Sequence, residues 1–388
     1  MDFRFREEEE QFRQEVKEFI KEELTPEAHT VWAGEGLPDT PPRREFLKRL
    51  ARKGWLGLSW PKEYGGQGLP GIYEYILSNE LAYASAPHAG RNVSVIGKTL
   101  IRHGNERLKS EFLPRIARDE IQIALGYTEP EAGSDLASLQ TRAVPDGDDY
   151  LINGQKRFST SSHYSEYIWL ATRTNPNVDK HNGISLFIVD LTCAGVTIEP
   201  LWTMSGNRTN EVFFDNVRVP RYRMVGELNK GWYYIREALA LERFALTAYA
   251  PVDWRKFETL LNWVKEAERQ GKLLAKDPLV RQKMARLAIE VEILKLIEYQ
   301  VISRASKGLI PHIEAAMCKL FGTELLQRLN RTALEIMGLY GELQEGSRYV
   351  PLEGKYEQDY RDSVRATIGA GSSEMQRNII GRSLMGSH

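Results

Sequence analysis

The sequence predicts a multi-domain α+β protein in which a β-rich middle domain separates two helical domains. Its 388 residues exceed the roughly 150 that one domain usually holds, so two or three cores are expected. Apolar residues recur at helical spacing up to about residue 121 and again from Gly231, whereas short β-rich runs separated by turns fill the stretch between. We therefore expect an all-α domain at 1–121, an antiparallel β-barrel or sandwich domain at 122–230 and a four-helix bundle at 231–388.

Composition and charge describe a globular protein without a charged binding face. The 52 Lys and Arg nearly balance the 53 Asp and Glu, and the net charge of -1 predicts neither nucleic-acid binding nor attraction to an anionic membrane. Cys193 and Cys318 are too few for a disulfide framework or a thiolate metal site, so we expect no metal and a cytoplasmic location. The acidic N-terminus lacks the apolar stretch of a secretory signal, and no run approaches the ~18 apolar residues of a membrane span.

Helix signals follow one another in the N-terminal third. The first helix is predicted by apolar residues at helical spacing, which are Phe12, Val16, Phe19 and Ile20. Thr40 is a candidate N-cap before two prolines, and Gly54 can end that helix in a left-handed conformation. Further helices are expected at about 72–84, 90–103 and 106–119.

The middle and C-terminal stretches differ in period. Strands are predicted at 167–172, 184–189, 196–199 and 211–214. Asn153 and Gly154 form a dipeptide typical of a hairpin turn, which would join 150–152 to 155–159. No helix-length segment intervenes, so the sheet should be mostly antiparallel. The C-terminal stretch contains about four long helical segments, with breaks near 271–278, 308–311 and 341–354.

Three familiar motifs do not explain the protein. Gly66, Gly68 and Gly71 match G-x-G-x-x-G literally, but no strand precedes them and Pro70 lies within the match. The dinucleotide-binding fingerprint needs a strand before it and a helix directly after it. The phosphate-binding Walker A motif and the zinc-binding HExxH motif are both absent from the sequence.

One carboxylate lies on the apolar stripe of the helix that follows Gly231. The stripe consists of Trp232, Ile235, Leu239, Leu246 and Tyr249. Glu242 falls on it, where partial desolvation would raise its pKa and make it a better base near neutral pH. The alternative is a structural ion pair with Arg243 or with an arginine of another helix.

A glycine-rich turn leads directly into the last helix. Gly369, Ala370 and Gly371 precede Ser372, which is a plausible N-cap, and Glu374 would lie in the first helical turn. Main-chain N–H groups at such a helix start can stabilise an oxyanion or a phosphate. A simple loop-to-helix cap is the structural alternative.

Several long motifs resemble the acyl-CoA dehydrogenase family, and they cover essentially the whole chain in the family's order. They are LGYTEPEAGSD at 125–135, NGQKRFST at 153–160, NEVFFDNVRVP at 210–220, LER at 241–243 and IGAGSSEMQR at 368–377. The resemblance implies an α-helical domain, a β-barrel-like domain and a four-helix bundle, assembled as a homotetramer or dimer. It also implies that FAD lies between the middle and C-terminal domains, and that an acyl-CoA thioester is oxidised to the trans-2-enoyl-CoA.

The resemblance assigns cofactor contacts in the middle domain. Leu125, Tyr127 and Thr128 would lie along the flavin, and Thr128 would hydrogen-bond its pyrimidine end. Phe158 would pack on the isoalloxazine ring and Thr160 would approach flavin N5. Without the resemblance, Phe158 would be interpreted as ordinary β-core and Thr160 as a strand-end hydroxyl.

Further contacts are implied for the dinucleotide and the substrate arm. Ser134 would lie where the cofactor's phosphates and the substrate's pantetheine pass. Glu335, Gly338 and Leu339 resemble the segment that meets the adenosine half of FAD from a neighbouring subunit. Ser372 and Glu374 resemble FAD contacts on the last helix.

The chain departs from the family pattern at the catalytic base. Most members place a glutamate where this sequence has Ala370. In isovaleryl-CoA and long-chain acyl-CoA dehydrogenases the base lies on the earlier helix, at the position that matches Glu242. Arg243 would then contact the bound thioester arm. The resemblance implies that the Ala370 N–H and a ribityl hydroxyl of the flavin stabilise the enolate oxygen, and Gly371 is a further expected substrate contact.

A second departure concerns the arginine that reaches the FAD phosphates across the dimer. The segment at 268–272 lacks the usual Phe-Gly after that arginine. Arg269 is the first candidate for the role, and Arg281, about three helical turns on, is the competitor.

The resemblance also implies an electron acceptor, normally electron-transferring flavoprotein. Two alternatives stay open: a flavin oxidase or monooxygenase on the same fold, and a non-catalytic FAD- or acyl-CoA-binding subunit of a heteromer.

A helix-borne base occurs in members that handle branched or long acyl chains, so this substrate class is favoured, while short linear, aryl and steroid side-chain thioesters stay open. The size of the acyl pocket would depend on residues such as Leu100, Leu239 and Tyr340.

Overall fold

The N-terminal part of the protein is helical. The computed structural model describes residues 5–29, 39–88, 90–245, 249–305, 309 and 311–386, and of residues 240–245 and 305 it describes the main chain only. The N-terminal helices are α1 (Glu7–Glu23), α2 (Pro41–Arg52), α3 (Gly71–Tyr83), α4 (Lys98–His103) and α5 (Glu106–Ala117). Gly54 ends the α2 region with φ of 70°, as predicted.

One local prediction in this region was wrong. Thr40 precedes α2, but its side chain makes no capping hydrogen bond. The helix begins with Pro41 and Pro42, and a proline offers no N–H to a cap. The helix predicted at 90–103 is present, and Asn92–Gly97 forms a π-helical segment within it before α4. Asn92 points from this segment to the start of β1, where its side-chain oxygen accepts from the Ile123 N–H at 3.2 Å.

The middle part forms one eight-stranded sheet with the order β6-β7-β3-β2-β4-β5-β8, and β1 pairs with β4. The strands are β1 (Ile123–Gly126), β2 (Arg142–Asp146), β3 (Asp149–Lys156), β4 (Tyr167–Arg173), β5 (Ile184–Asp190), β6 (Val196–Trp202), β7 (Arg208–Pro220) and β8 (Met224–Val225). Most neighbours are antiparallel, as expected, while β4 is parallel to β1 and β2. Both faces of β4 are buried, since Trp169 belongs to the core shared with the N-terminal helices and Ile168 to the core of the sheet.

The hairpin prediction at Asn153–Gly154 was wrong. Both residues lie inside β3, at a bulge in its pairing with β7. A Cβ on Gly154 would come within 2.7 Å of Thr141 Cα, so the close approach of the main chain just before β2 requires glycine. The turn between β2 and β3 instead contains Gly147, with φ of 62°.

The C-terminal part is helical again, which confirms the helical–β–helical order. Its helices are α6 (Gly231–Ala245), α7 (Tyr249–Glu266), α8 (Pro278–Ala305), α9 (His312–Met337), α10 (Lys355–Ala366) and α11 (Ser373–Leu384). The break before α8 contains a small hairpin of β9 (Glu268–Arg269) and β10 (Lys272–Leu273). None of the helices described is both long and apolar enough to cross a membrane. The exact limits of the three domains stay a prediction.

Candidate active site

The segments that leave β1 and β3 lie side by side. Tyr127 is buried just after β1. The Arg157 N–H donates to the Thr128 carbonyl at 2.8 Å, and Ser159 Oγ donates to the Leu125 carbonyl at 2.7 Å. The structure therefore joins two segments that the sequence resemblance assigns to the flavin.

A buried ion pair lies beneath this junction. Lys156 is 0% exposed, and its Nζ lies 2.7 Å from Glu129 Oε1 and donates to the Tyr127 carbonyl at 3.1 Å. Glu129 also accepts from the Gln140 and Thr141 N–H groups, at 2.6 and 2.9 Å. Burial lowers the pKa of Lys156 to about 8 against the raising effect of Glu129. Burial also works to raise the pKa of Glu129, but the Lys156 charge and the hydrogen bonds outweigh it, so that pKa is lowered.

Large side chains are presented to the surface next to this junction. Phe158 has φ of 57° and is 56% exposed, so it is not part of the β-core. Thr160 Oγ1 lies 3.3 Å from Thr209 Oγ1. Trp202 and Met204 are also exposed, at 65% and 63%. Sequence reasoning missed Trp202 and Met204, although a tryptophan three residues after a predicted strand could have indicated an apolar binding face.

Hydrogen bonds connect this surface to the C-terminal helices. Ser205 Oγ and Asn207 Nδ2 donate to Asp362 of α10, at 3.0 and 3.1 Å. Arg361, also of α10, donates to the Met204 carbonyl at 2.5 Å. The end of α10 therefore extends from the middle domain towards the glycine-rich turn.

The turn between α10 and α11 is left-handed. Ala370 has φ of 54° and Gly371 has φ of 92°. Ser372 caps α11, since its Oγ accepts from the Met375 N–H at 3.3 Å, and this confirms the predicted N-cap. Glu374 is exposed in the first turn, where hydrogen bonds from its own N–H and the Ser372 side chain lower its pKa.

The proposed base lies on α6, near its C-terminal end. Ile235 is buried, and Trp232 and Leu239 pack against the same core, so the apolar stripe is present along the described part of the helix. Glu242 and Arg243 belong to α6, but their side chains lie outside the described residues, as does Leu246. Their roles stay predictions.

The segment expected to serve a neighbouring subunit is separate from this region. Arg269 donates a hydrogen bond to the Ile336 carbonyl, beside Gly338 with φ of 65°. Glu335 pairs with Lys283 at 2.5 Å. Leu339 is 84% exposed. Among the described residues, no hydrogen bond or ion pair links this group directly to the flavin-assigned residues of the middle domain.

The other candidates lie in three different surroundings. Arg281 is exposed and donates to the Ala275 carbonyl at 3.3 Å. Ser134 is exposed next to the pair of Asp135 and Lys180, which lie 2.7 Å apart. Leu100 and Leu239 share one core. Tyr340 is exposed beside Tyr349, with ring centroids 6.4 Å apart, so in this chain it does not join the other two pocket candidates.

The residues present suit a flavin dinucleotide. Phe158 and Trp202 offer exposed apolar faces to a planar ring. Ser373 Oγ and Gln376 Oε1 are buried without a hydrogen-bond partner among the described residues, so polar groups are available beside the left-handed turn. An open cavity of about 460 Å³ next to it is lined by Glu324, Gln327, Arg328, Arg331, Thr367, Ile368, Ser373 and Glu374.

Comparison with known proteins agrees with this geometry. Models of the acyl-CoA dehydrogenase N-terminal, middle and C-terminal domains match residues 6–120, 124–217 and 229–385. The acyl-CoA dehydrogenase FadE26 of Mycobacterium tuberculosis is 36% identical, over 97% of this chain and 96% of that protein.

Two solved structures have the same fold over their whole length. The Tcur3481-Tcur3483 steroid acyl-CoA dehydrogenase has a TM-score of 0.91 and 35% identity, covering 100% of this chain and 99% of that one. The ChsE4-ChsE5 complex from Mycobacterium tuberculosis has a TM-score of 0.90 and 36% identity, with the same coverage. The chain therefore belongs to the acyl-CoA dehydrogenase family and is a flavin-dependent oxidoreductase that uses FAD.

Proposed function

We propose that the protein catalyses the α,β-dehydrogenation of an acyl-CoA thioester, with Glu242 as the base that removes the α-proton. The observation that carries this proposal is the left-handed turn at Ala370 and Gly371. Neither of their N–H groups has an acceptor among the described residues. Two free N–H groups beside the predicted flavin surface suit a thioester carbonyl, whose oxygen gains negative charge as the α-proton leaves.

The same turn supports a base on another element. Ala370 retains the main-chain donor but has no carboxylate, so we place the base elsewhere in the chain. Glu242 satisfies this requirement because it follows the apolar stripe of α6 towards the end of the helix. The positive charge of Arg243 would orient the thioester arm, and Ser134 would lie beside the pantetheine.

The middle domain would hold the cofactor. Its proposed FAD contacts are Leu125, Tyr127, Thr128, Ser134, Phe158 and Thr160, with Ser372 and Glu374 from the last helix and with Arg269, Glu335, Gly338 and Leu339 of a neighbouring subunit. When bound, the flavin accepts the hydride that leaves the substrate β-carbon. The protein contributes the base, the carbonyl donors and an apolar surface that excludes water.

The substrate and assembly are proposed from the relatives. Because one similar structure is named a steroid acyl-CoA dehydrogenase, a steroid side-chain thioester is the first substrate to test, followed by branched and long-chain acyl-CoA. The ChsE4-ChsE5 structure is a complex, so a heteromer stands beside the homotetramer or dimer. The mass of the purified protein and its flavin content per chain distinguish these assemblies. Electron-transferring flavoprotein is the proposed acceptor.

The decisive experiment replaces the base. Glu242→Gln should retain the visible FAD spectrum but lose anaerobic bleaching by the acyl-CoA that best bleaches the wild-type protein. Glu237→Gln is the matched control on the same helix, since Glu237 pairs with His103 at 2.7 Å instead, and it should bleach at the wild-type rate. Undiminished bleaching by Glu242→Gln would overturn the assignment. Peroxide formation without an artificial acceptor would indicate an oxidase.

A further inference from the structure

A buried lysine holds one carbonyl of the left-handed turn. Lys319 lies in α9 and is only 1% exposed, and its Nζ donates to the Gly371 carbonyl at 2.7 Å. Removing an ammonium group from water is costly unless strong hydrogen bonds compensate for it. A charge buried in the bundle therefore acts directly on the segment that we propose binds the substrate carbonyl.

A buried glutamine holds the same turn from the other helix. Gln376 of α11 is 0% exposed, and its Nε2 donates to the Gly371 carbonyl at 3.0 Å and to the Ala370 carbonyl at 3.4 Å. A Cβ on Gly371 would lie 2.7 Å from this nitrogen. The amide therefore packs directly on the glycine Cα, where a larger residue would displace it.

These contacts hold two peptide units of the turn, those that carry the Gly371 and Ser372 N–H groups, while the Ala370 N–H belongs to the preceding peptide unit. A peptide unit is planar, so fixing the Ala370 carbonyl also fixes the Gly371 N–H, and fixing the Gly371 carbonyl fixes the Ser372 N–H. A residue such as Ala370 disfavours positive φ and keeps it only when its surroundings enforce it. The Gln376 contact to the Ala370 carbonyl therefore orients the Gly371 N–H, one of the two proposed donors, and the Lys319 contact to the Gly371 carbonyl holds the next peptide unit and polarises its Ser372 N–H.

We propose that Lys319 and Gln376 are positioning residues that align the Ala370–Gly371 turn for the thioester carbonyl. This inference rests on the proposed function, because it concerns the same carbonyl site. If the two residues served packing alone, their loss would weaken every ligand of the site equally. If they align donors, the loss should be confined to ligands that carry a carbonyl.

The test compares two unreactive ligands of the FAD-loaded protein, trans-2-octenoyl-CoA and the thioether S-octyl-CoA, which has no carbonyl. We expect Lys319→Met and Gln376→Leu each to raise the Kd of the enoyl-CoA about tenfold, while the Kd of the thioether stays within about twofold. Lys295→Met is the control, since Lys295 is a half-exposed lysine of α8 that lies 3.9 Å from Glu292, and it should change neither Kd. Gln376→Leu removes no charge, so it keeps the test open if Lys319→Met does not fold.

The outcomes separate this inference from the proposed function. Equal weakening of both ligands, or no change in either, would overturn the positioning role while leaving the carbonyl site in place. If the wild-type protein binds the enoyl-CoA no more tightly than the thioether, the proposed carbonyl site itself is wrong.

Discussion

Lys156 and Glu129 form an ion pair beneath the flavin-assigned surface, with their charged atoms 2.7 Å apart and both side chains buried. The pair connects the two sequence motifs that the family resemblance places along the cofactor, because Lys156 also donates to the Tyr127 carbonyl. A contact between these motifs was not predicted from the sequence, since nothing in their spacing indicates which residues face each other across the sheet.

Lys156→Met should destabilise the protein by about 3–5 kcal/mol and lower its FAD content, because it leaves Glu129 buried without its partner. The control is Lys53→Met, which removes a surface pair with Glu15 at 3.3 Å and should cost about 0–1 kcal/mol. Chemical denaturation and the flavin-to-protein absorbance ratio are the measurements. If both variants lost the same free energy of unfolding and the same FAD content, burial would not decide how strongly the ion pair stabilises the protein.

Arg269→Gln should lower the FAD retained through gel filtration, whereas Arg281→Gln should retain it. The reason is that Arg269 contacts the Ile336 carbonyl, within the segment that carries Glu335 and Gly338. Arg281 contacts the Ala275 carbonyl instead. The two variants remove the same group and serve as controls for each other, so loss of FAD only in Arg281→Gln would assign the phosphate contact to that residue.

Local signals predicted much of the fold, and they failed where a distant segment decides the outcome. Ser372 was identified as a cap because its bond spans only three residues, to the Met375 N–H. The Asn153–Gly154 dipeptide was misinterpreted as a turn because its glycine is required by the close approach of Thr141, the residue before β2. The Asn-Gly dipeptide alone therefore does not distinguish a hairpin turn from a β-bulge.

The sequence likewise predicted some residues of the candidate site and missed others. The motifs predicted its residues through resemblance, and the exposed ring of Phe158 agrees with a ligand-facing role. Lys319 and Gln376 were missed because their partners, the carbonyls of Ala370 and Gly371, are main-chain groups. A main-chain acceptor leaves no residue-type signal in a sequence.

The buried carboxyl group of Asp253 should make the free energy of unfolding depend on pH. It is buried in α7, and its Oδ2 has no hydrogen-bond partner among the described residues. Burial raises its pKa to about 7, against the lowering effects of Lys256 and Arg328 and with a raising contribution from Asp359. The folded protein therefore keeps this proton up to about pH 7, whereas an unfolded chain releases it near pH 4. The contribution to stability is complete below about pH 4 and is lost as the pH rises through about 7.

Asp253→Asn should remove this loss, because the amide is neutral at every pH. We expect the variant to be more stable than the wild-type protein by up to about 4 kcal/mol at pH 8 and by only about 1–2 kcal/mol at pH 5. Thermal unfolding at the two pH values measures the difference. Asp148→Asn, at an exposed position, is the control, and it should change the unfolding temperature by the same small amount at both pH values. A stabilisation by Asp253→Asn that is equal at pH 5 and pH 8 would mean that the buried carboxyl does not titrate in this range.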